Sequence, residues 1–265
     1  MNILEKIAAR THERVAKAKN AISLEGIREA ARAVDAAYSG LPYAYPFETS
    51  LRGRDIAFIC EIKKASPSKG IIAHDFPYLQ IAREYEDAGA AAISVLTEPF
   101  WFHGHNEYLS EIAAAVRVPL LRKDFTVDEY MLYEAKLYGA SAVLLICAIL
   151  TPAQLAEYME IAHSLGLSVL VETHDEAEVE MALTAGAKII GVNNRCLKTF
   201  EVDITLSERL KKLVPPEVIF VSESGLSKPA DIAKLREIGA DAALIGESFM
   251  RSADKRAAIR ELRGL

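Results

Sequence analysis

AVLLICAILTPAQLAEYMEIAHSLGLSVLVET, residues 142–173, contains one full turn of the pattern that decides the fold. Its first nine residues, Ala142 to Leu150, are all apolar, which is too continuous for a strand with one wet face and too short for a membrane span. Thr151-Pro152-Ala-Gln154 then has the form of a capping box: a threonine hydroxyl to accept from the first helical turn, a glutamine to reach back, and a proline where no backbone donor is lost. An amphipathic stretch follows and stops at Gly166, and LSVLVET begins the next apolar run at Leu167.

Working outward, the same unit recurs. Runs rich in Val, Ile and Leu start at Ile56, Ala91, Val118, Ala142, Leu167, Ala187, Glu217 and Asp241. Gly-Ala pairs at Gly89, Gly139, Gly186 and Gly239 stand just before four of them, where a helix should end. Thr126-Val-Asp-Glu129, Thr173-His-Asp-Glu176 and Thr205-Leu-Ser-Glu208 read as further capping boxes, and Pro229 as another helix opening. Strands buried on both faces and alternating with helices are parallel strands. Eight near-equal units, with EIKKASPSKG after the first run instead of a dinucleotide-binding glycine fingerprint, predict a closed (β/α)8 barrel, an α/β fold of the TIM-barrel type. Residues 1–50 lie outside the repeat. Ile3, Ile7, Val15, Ile22, Ile27 and Ala31 predict two or three helices packed on the barrel, broken by Leu41-Pro42-Tyr43 and Pro46, so residues 1–265 are read as one domain, with the eight units in 51–265.

Composition excludes several classes. The chain has 265 residues, 51% of them hydrophobic and 26% charged, with a net charge of −6, which suits neither a disordered chain nor a general nucleic-acid binder. The charged N-terminus has no apolar signal core and no run could span a bilayer, so neither export nor membrane attachment is expected. Cys60, Cys147 and Cys196 are too far apart for a zinc pattern, and their odd number fits reduced thiols in a cytoplasm.

In such barrels, chemistry sits where strands end. Here the ends read Glu61-Ile-Lys63, Lys123-Asp124-Phe125, Glu172, Asn193-Asn194-Arg195, Glu223-Ser224-Gly225 and Gly246-Glu247-Ser248. A surface ion pair explains any one of these alone, but not their recurrence from end to end. Glu61 and Lys63 point to one side of their strand, so Lys63 and Lys123 are expected between Glu61, Glu172 and Glu223 in a partly dry mouth, an arrangement suited to acid–base work. Ser224-Gly225 and Gly246-Glu247-Ser248 occupy the ends where barrels often hold a phosphate, and Ser66 to Gly70 offer hydroxyls and a cation; Glu247 has to turn its carboxylate away from such an anion. Phe102, Phe125, Leu144 and Leu197 read as core, although Phe102, Phe125 and Leu197 fall in or just after strand-end loops and suit an aromatic pocket equally. His103-Gly-His105 and Glu172 with His174 lack further ligands at other strand ends, so no metal is expected.

In register along the chain, Glu61-Ile-Lys63-Lys-Ala-Ser66-Pro-Ser-Lys-Gly70, Ser94-Val-Leu-Thr-Glu98, Phe102-His-Gly104, Leu121-Arg-Lys123-Asp-Phe125, Val171-Glu172, Gly191-Val-Asn193-Asn-Arg195, Glu223-Ser-Gly225 and Leu244-Ile-Gly246 resemble the indole-3-glycerol phosphate synthase family from about residue 50 to the end. The N-terminal helical segment is similar too. The resemblance implies a cofactor-free lyase of tryptophan biosynthesis that converts 1-(2-carboxyphenylamino)-1-deoxyribulose 5-phosphate into indole-3-glycerol phosphate, carbon dioxide and water. It implies Lys123 as general acid for ring closure, Lys63 as partner of the substrate carboxylate with a share in the dehydration, and Glu172 as the acid/base that removes a proton. Glu61, Asn193 and Glu223 would hold hydroxyls and orient the lysines. Ser66, Ser224, Gly225, Gly246 and the Glu247 N–H would surround the phosphate; Phe102, Phe125, Leu144 and Leu197, beside Arg195, would pack the anthranilate ring; Ser94 belongs to the same binding set.

Ala65, Glu247 and Cys196 depart from residues common in that family, which bears on phosphate contacts rather than on the reaction. No fused second enzyme is expected after the eighth unit, and a monomer or weak homodimer is. Two rivals make different demands. A phosphoribosylanthranilate isomerase-like barrel needs a Cys and Asp pair at strand ends, and Cys60 fits that poorly; a non-catalytic phosphate-binding barrel predicts that Lys123 is dispensable.

Overall fold

The structure is a computed structural model that describes residues 2–36, 45–53, 55–196 and 199–264, with the side chains of residues 35 and 36 excepted. Each of the eight apolar runs forms a strand: β1 (Ala57–Ile62), β2 (Ala92–Leu96), β3 (Leu120–Lys123), β4 (Ala142–Ile146), β5 (Ser168–Thr173), β6 (Ile189–Asn193), β7 (Ile219–Glu223) and β8 (Ala242–Ile245). All pair in parallel with their chain neighbours, and β1 pairs with both β2 and β8, closing the barrel.

Alternation along the strands explains why the runs are apolar throughout. Ala142, Leu144 and Ile146 of β4 point into the barrel with Ile59, Leu121, Leu170 and Val221, while Val143 and Leu145 pack outward with the covering helices. Both faces of β4 are dry, which is why its run holds no polar residue. Gly89, Gly139, Gly166, Gly186 and Gly239 all have positive φ, as helix-ending glycines do.

The segment ahead of the barrel is helical: α1 (Ile3–Ala21), α2 (Leu24–Ala36) and α3 (Pro46–Leu51). From α3, Phe47 and Leu51 are fully buried in the interior cluster with Ala57 and Ala92, where the strands begin, so this helix plugs the N-terminal end. Val15 and Ile27 pack on Tyr130 and Met131 of the barrel helix Tyr130–Leu137. Each such burial contributes roughly 1.5–3 kcal/mol. Lys19 with Asp128 and Arg28 with Glu129, both at 2.7 Å, fix the register of that contact. Ile22 departs from the apolar pattern of the helices: it is 54% exposed and caps α1, its N–H donating to the Ala18 carbonyl at 2.9 Å while its own carbonyl accepts from the Tyr130 hydroxyl at 3.1 Å. Leu41, Pro42, Tyr43 and Leu197 lie outside the described residues.

Of the four capping boxes, the one at Thr151–Gln154 is present, with Pro152 opening the helix Pro152–Ser164. The other three are corrected by aspartates. Thr126 lies four residues ahead of the helix at Tyr130, whose N–H is accepted by Asp128 instead. Thr173 is still in β5 and donates to the Gly191 carbonyl, so Asp175 caps the helix Glu176–Thr184. Thr205 is the first residue of its helix and is itself held by Asp203. An aspartate carboxylate took the acceptor role that threonine was expected to fill each time.

Candidate active site

The C-terminal strand ends converge on a bowl of about 430 Å³. On its polar side, Lys123 Nζ lies 3.1 Å from Glu172 Oε2 and 3.8 Å from Glu223 Oε2. Lys63 is ion-paired with Glu61, two residues back on the same strand face. Asn193 Nδ2 donates to Glu172 Oε1 at 3.2 Å, and Asn193 Oδ1 accepts from the Arg195 backbone at 3.1 Å. The guanidinium of Arg195 reaches the Phe200 carbonyl at 3.1 Å.

Charges this dry shift one another. Burial opposes charge on Lys123, but the carboxylates of Glu172, Glu223 and Glu61 outweigh it and hold the ammonium above the usual lysine range. Glu172 is the mirror case: burial favours its neutral form, and Lys123, His174 and Asn193 together keep it well below the carboxylate range. Glu223 goes the other way, to about 8: burial dominates, and repulsion from Glu172 and Glu61 reinforces it against Lys123. Two neighbouring carboxyls thus hold opposite protonation states at neutral pH. Glu223 Oε1 is buried with no hydrogen-bond partner among the described residues, so it has capacity to spare for a ligand hydroxyl.

A glycine makes this packing possible. A Cβ at Gly191 would sit 2.2 Å from Glu223 Oε1. Gly191→Ala is therefore expected to push Glu223 out of line, lowering kcat about tenfold or more and the thermal midpoint by a few degrees, roughly what overpacking by 1–3 kcal/mol does. Steady-state rates and a melting curve check both.

At the end where the sequence led us to expect an anion, the strand-end loops are glycine-containing and tightly turned. Ser224 and Gly225 are consecutive left-handed residues, with φ of 66° and 83°, a conformation that costs a serine about 1 kcal/mol and turns successive N–H groups toward one side. Gly246 precedes the short helix Glu247–Arg251, and Ser66 faces them from a small hairpin after β1. The Glu247 carboxylate does turn aside, to Arg251 Nε at 3.0 Å and Lys69 at 4.0 Å.

The third wall is apolar. Phe102 and Phe125 stand with ring centroids 5.9 Å apart above Leu144. Glu98, fully buried, accepts from the backbone N–H groups of Phe100, Trp101 and Phe102 and so pins Phe102 in place. Ser94 is the exception among the expected binding residues. It points into the barrel interior one layer down, buried and unpartnered, and does not line the bowl. Its place on β2 opposite Glu61 explains the near miss, because a residue in register with the rim still lies below it.

Sequence reasoning missed three features. Ile3, Leu4 and Ile7 of α1 roof the bowl, a long-range contact without local signal. Arg14 of α1 bonds Asp124 Oδ1 at 2.8 Å, while Thr97 donates to Oδ2 at 2.6 Å, which anchors the residue next to Lys123. His174, weighed with Glu172 in the sequence only as a metal ligand, stands between Glu172 and Glu178. Cys60 packs outward among the helices, away from the bowl. Among the described residues no cluster of three or more His, Cys, Asp or Glu side chains is arranged to hold a metal, and no helix is long and apolar enough to cross a membrane.

Residues 4–262 match the protein family described as Indole-3-glycerol phosphate synthase. A curated indole-3-glycerol phosphate synthase of Ruminiclostridium cellulolyticum is 55% identical over 263 residues, 99% of each chain. One of Leuconostoc mesenteroides is 48% identical over 264 residues, again 99% of each. Solved structures with the same fold include a 3-hexulose-6-phosphate synthase (18% identity, TM-score 0.62, 79% of this chain and 99% of that one) and a mutant tryptophan synthase alpha-subunit from Pyrococcus furiosus (16%, 0.61, 80% and 99%). At those identities the likeness concerns the fold alone.

Proposed function

The chain belongs to the indole-3-glycerol phosphate synthase family, and from that premise we propose which of its residues carry out each step. The activity is that of a carboxy-lyase of tryptophan biosynthesis. The substrate that the family implies, 1-(2-carboxyphenylamino)-1-deoxyribulose 5-phosphate, has three chemically distinct parts, and the bowl has three matching walls. Its phosphate goes to the backbone N–H groups at Ser224-Gly225 and Gly246-Glu247, with Ser66; its aromatic ring goes against Phe102, Phe125 and Leu144; its ketone goes to Lys123.

Ring closure joins the ring carbon that bears the carboxylate to the ketone carbon. The ketone oxygen becomes a hydroxyl, and Lys123 gives it a proton while its charge stabilises the developing alkoxide. Lys63, held by Glu61, pairs with the substrate carboxylate. Loss of carbon dioxide returns the bond electrons to the ring, aided by a wall that cannot solvate the anion. Lys63 then protonates the departing hydroxyl, which leaves as water, and Glu172 removes the last proton to give the indole. Asn193 and Glu223 orient the lysines and accept or donate at the sugar hydroxyls. Leu197 is assigned to the ring pocket by the family likeness alone.

The observation that carries this reading is the Lys123 ammonium held between Glu172 and Glu223 beside an apolar wall. The bowl is complete within one chain, which supports a monomer or weak homodimer. Because α1 roofs that bowl, the helical extension and the barrel are read as one domain. Three cysteines spread this widely along the chain fit a cytoplasmic setting.

The test is direct. Purified protein given the carboxyphenylamino-deoxyribulose phosphate should develop indole fluorescence at a rate that EDTA does not change. Absence of fluorescence would remove the activity, and inhibition by EDTA would bring a metal back into the mechanism.

A further inference from the structure

The reaction proposed above does not balance its protons within the bowl. Lys123 gives one proton to the ketone oxygen and a second leaves in the water molecule, but only one is recovered from the substrate carbon. A carboxylate anion also departs as neutral carbon dioxide, so every turnover must draw one proton from outside. Once substrate covers the mouth, the bowl needs another route for it.

His174 lies on such a route. It follows β5, and its ring sits between two carboxylates, with Nε2 3.4 Å from Glu172 Oε1 and Nδ1 3.1 Å from Glu178 Oε2. Glu178 is on the third residue of the helix Glu176–Thr184 and also accepts from the His174 backbone N–H at 2.7 Å, so one carboxylate fixes both the ring and its chain. Nδ1 bonds Glu178, while Nε2 is buried without a hydrogen bond among the described residues and faces the Glu172 carboxylate; a carboxylate beside each nitrogen makes the imidazole a cation. Beyond Glu172, its other oxygen reaches Lys123 at 3.1 Å. Exposure rises along the same line, from 3% for the Glu172 side chain to 18% for Glu178.

We infer that Glu178, His174 and Glu172 form a proton relay from solvent to Lys123 that supplies the proton consumed in each turnover; the inference rests on the catalytic reading above. A neutral Lys123 amine is a stronger base than imidazole. A proton therefore passes from His174 Nε2 to the ionised Glu172, whose carboxyl group turns and hands it to Lys123 Nζ; the imidazole shifts its remaining proton from Nδ1 to Nε2 and takes a new one on Nδ1 from water beside Glu178. The sum is one proton from bulk to Lys123, with Glu172 and His174 restored. The groups facing the ring agree with a resident cation. Glu172 and Glu178 outweigh burial and hold its pKa up at about 10, Lys123 and Glu223 lie beyond Glu172, and Cys147 packs from the single turn Cys147–Ile149 with its thiol on the Glu178 carbonyl at 3.6 Å.

Wild-type turnover is measured first, since its absence would remove the parent reading and not the relay alone. Under saturating substrate, His174→Gln and Glu178→Gln should each lower kcat about tenfold with KM unchanged. The lost rate should return in proportion to added imidazolium buffer, which does not affect the wild type. Glu178→Gln leaves the bowl itself intact, so the test survives a folding defect in the histidine variant. Unchanged kcat in that variant, or a loss that no buffer restores, would overturn the relay.

Discussion

Lys123→Met is expected to lower kcat by about three orders of magnitude while KM changes little and the barrel stays folded. The size follows from two lost contributions. A general acid contributes about 10²–10⁴-fold, and the fixed charge beside the forming alkoxide acts on the same step, so three decades, about 4 kcal/mol of transition-state stabilisation, is the conservative sum. The fold should survive because the methionine chain follows the lysine stem and the remaining charges can adjust. Removing one partner of a buried pair commonly costs 3–5 kcal/mol. Here Glu172 keeps Asn193 and His174 as partners, and Glu223, already pushed up to about 8, simply retains its proton more firmly. Circular dichroism and a melting curve separate the two effects. A variant that keeps full activity would remove Lys123 from the mechanism and favour a barrel that only binds phosphate.

The place of Lys123 in the bowl was legible from the sequence because it ends a strand, and its role came from the family resemblance. Where a side chain's role follows from its own strand and period, reading was straightforward. The β4 run alternates inward and outward with both sides dry, and Lys63 inherits its direction from Glu61 two residues earlier. Legibility fails where geometry is set by something distant or by a close local competition. Ile3, Leu4 and Ile7 look like any amphipathic helix until α1 is seen lying across the bowl. Arg14 and Asp124 are 110 residues apart, so nothing local announces the bond that anchors the Lys123 loop. Thr126, Thr173 and Thr205 failed as caps for the opposite reason. An aspartate within a few residues offered a better acceptor, and a rule of spacing takes no account of a competing acceptor outside its own pattern. Ser94 shows a limit of depth: alternation says which way a side chain points, not in which layer of the barrel it stops.

Glu172→Gln should lower kcat by about two orders of magnitude, and its cause can be told from its pH dependence. Losing the base that removes the final proton accounts for the rate. A second effect comes from hydrogen-bond polarity, because the position faces donors on all sides. Lys123 Nζ lies 3.1 Å from one oxygen; Asn193 Nδ2 donates to the other at 3.2 Å, with the His174 ring beside it as an ion pair at 3.4 Å. An amide has only one acceptor end, so either orientation sets its NH2 against a donor that the carboxylate satisfied. Turning the carbonyl to Lys123 opposes Asn193 and His174; the reverse opposes the ammonium. Without the Glu172 charge, the attraction that holds Lys123 above the lysine range weakens while burial still favours the neutral amine, so its pKa falls. The acid form needed for ring closure is then lost at lower pH, and the alkaline limb of the kcat/KM profile should move to lower pH in the variant. A rate profile from pH 6 to 10 reads this shift. An unchanged rate with weaker phosphate affinity would reassign Glu172 to binding, and a slower rate with an unmoved alkaline limb would leave it as a base that does not tune Lys123.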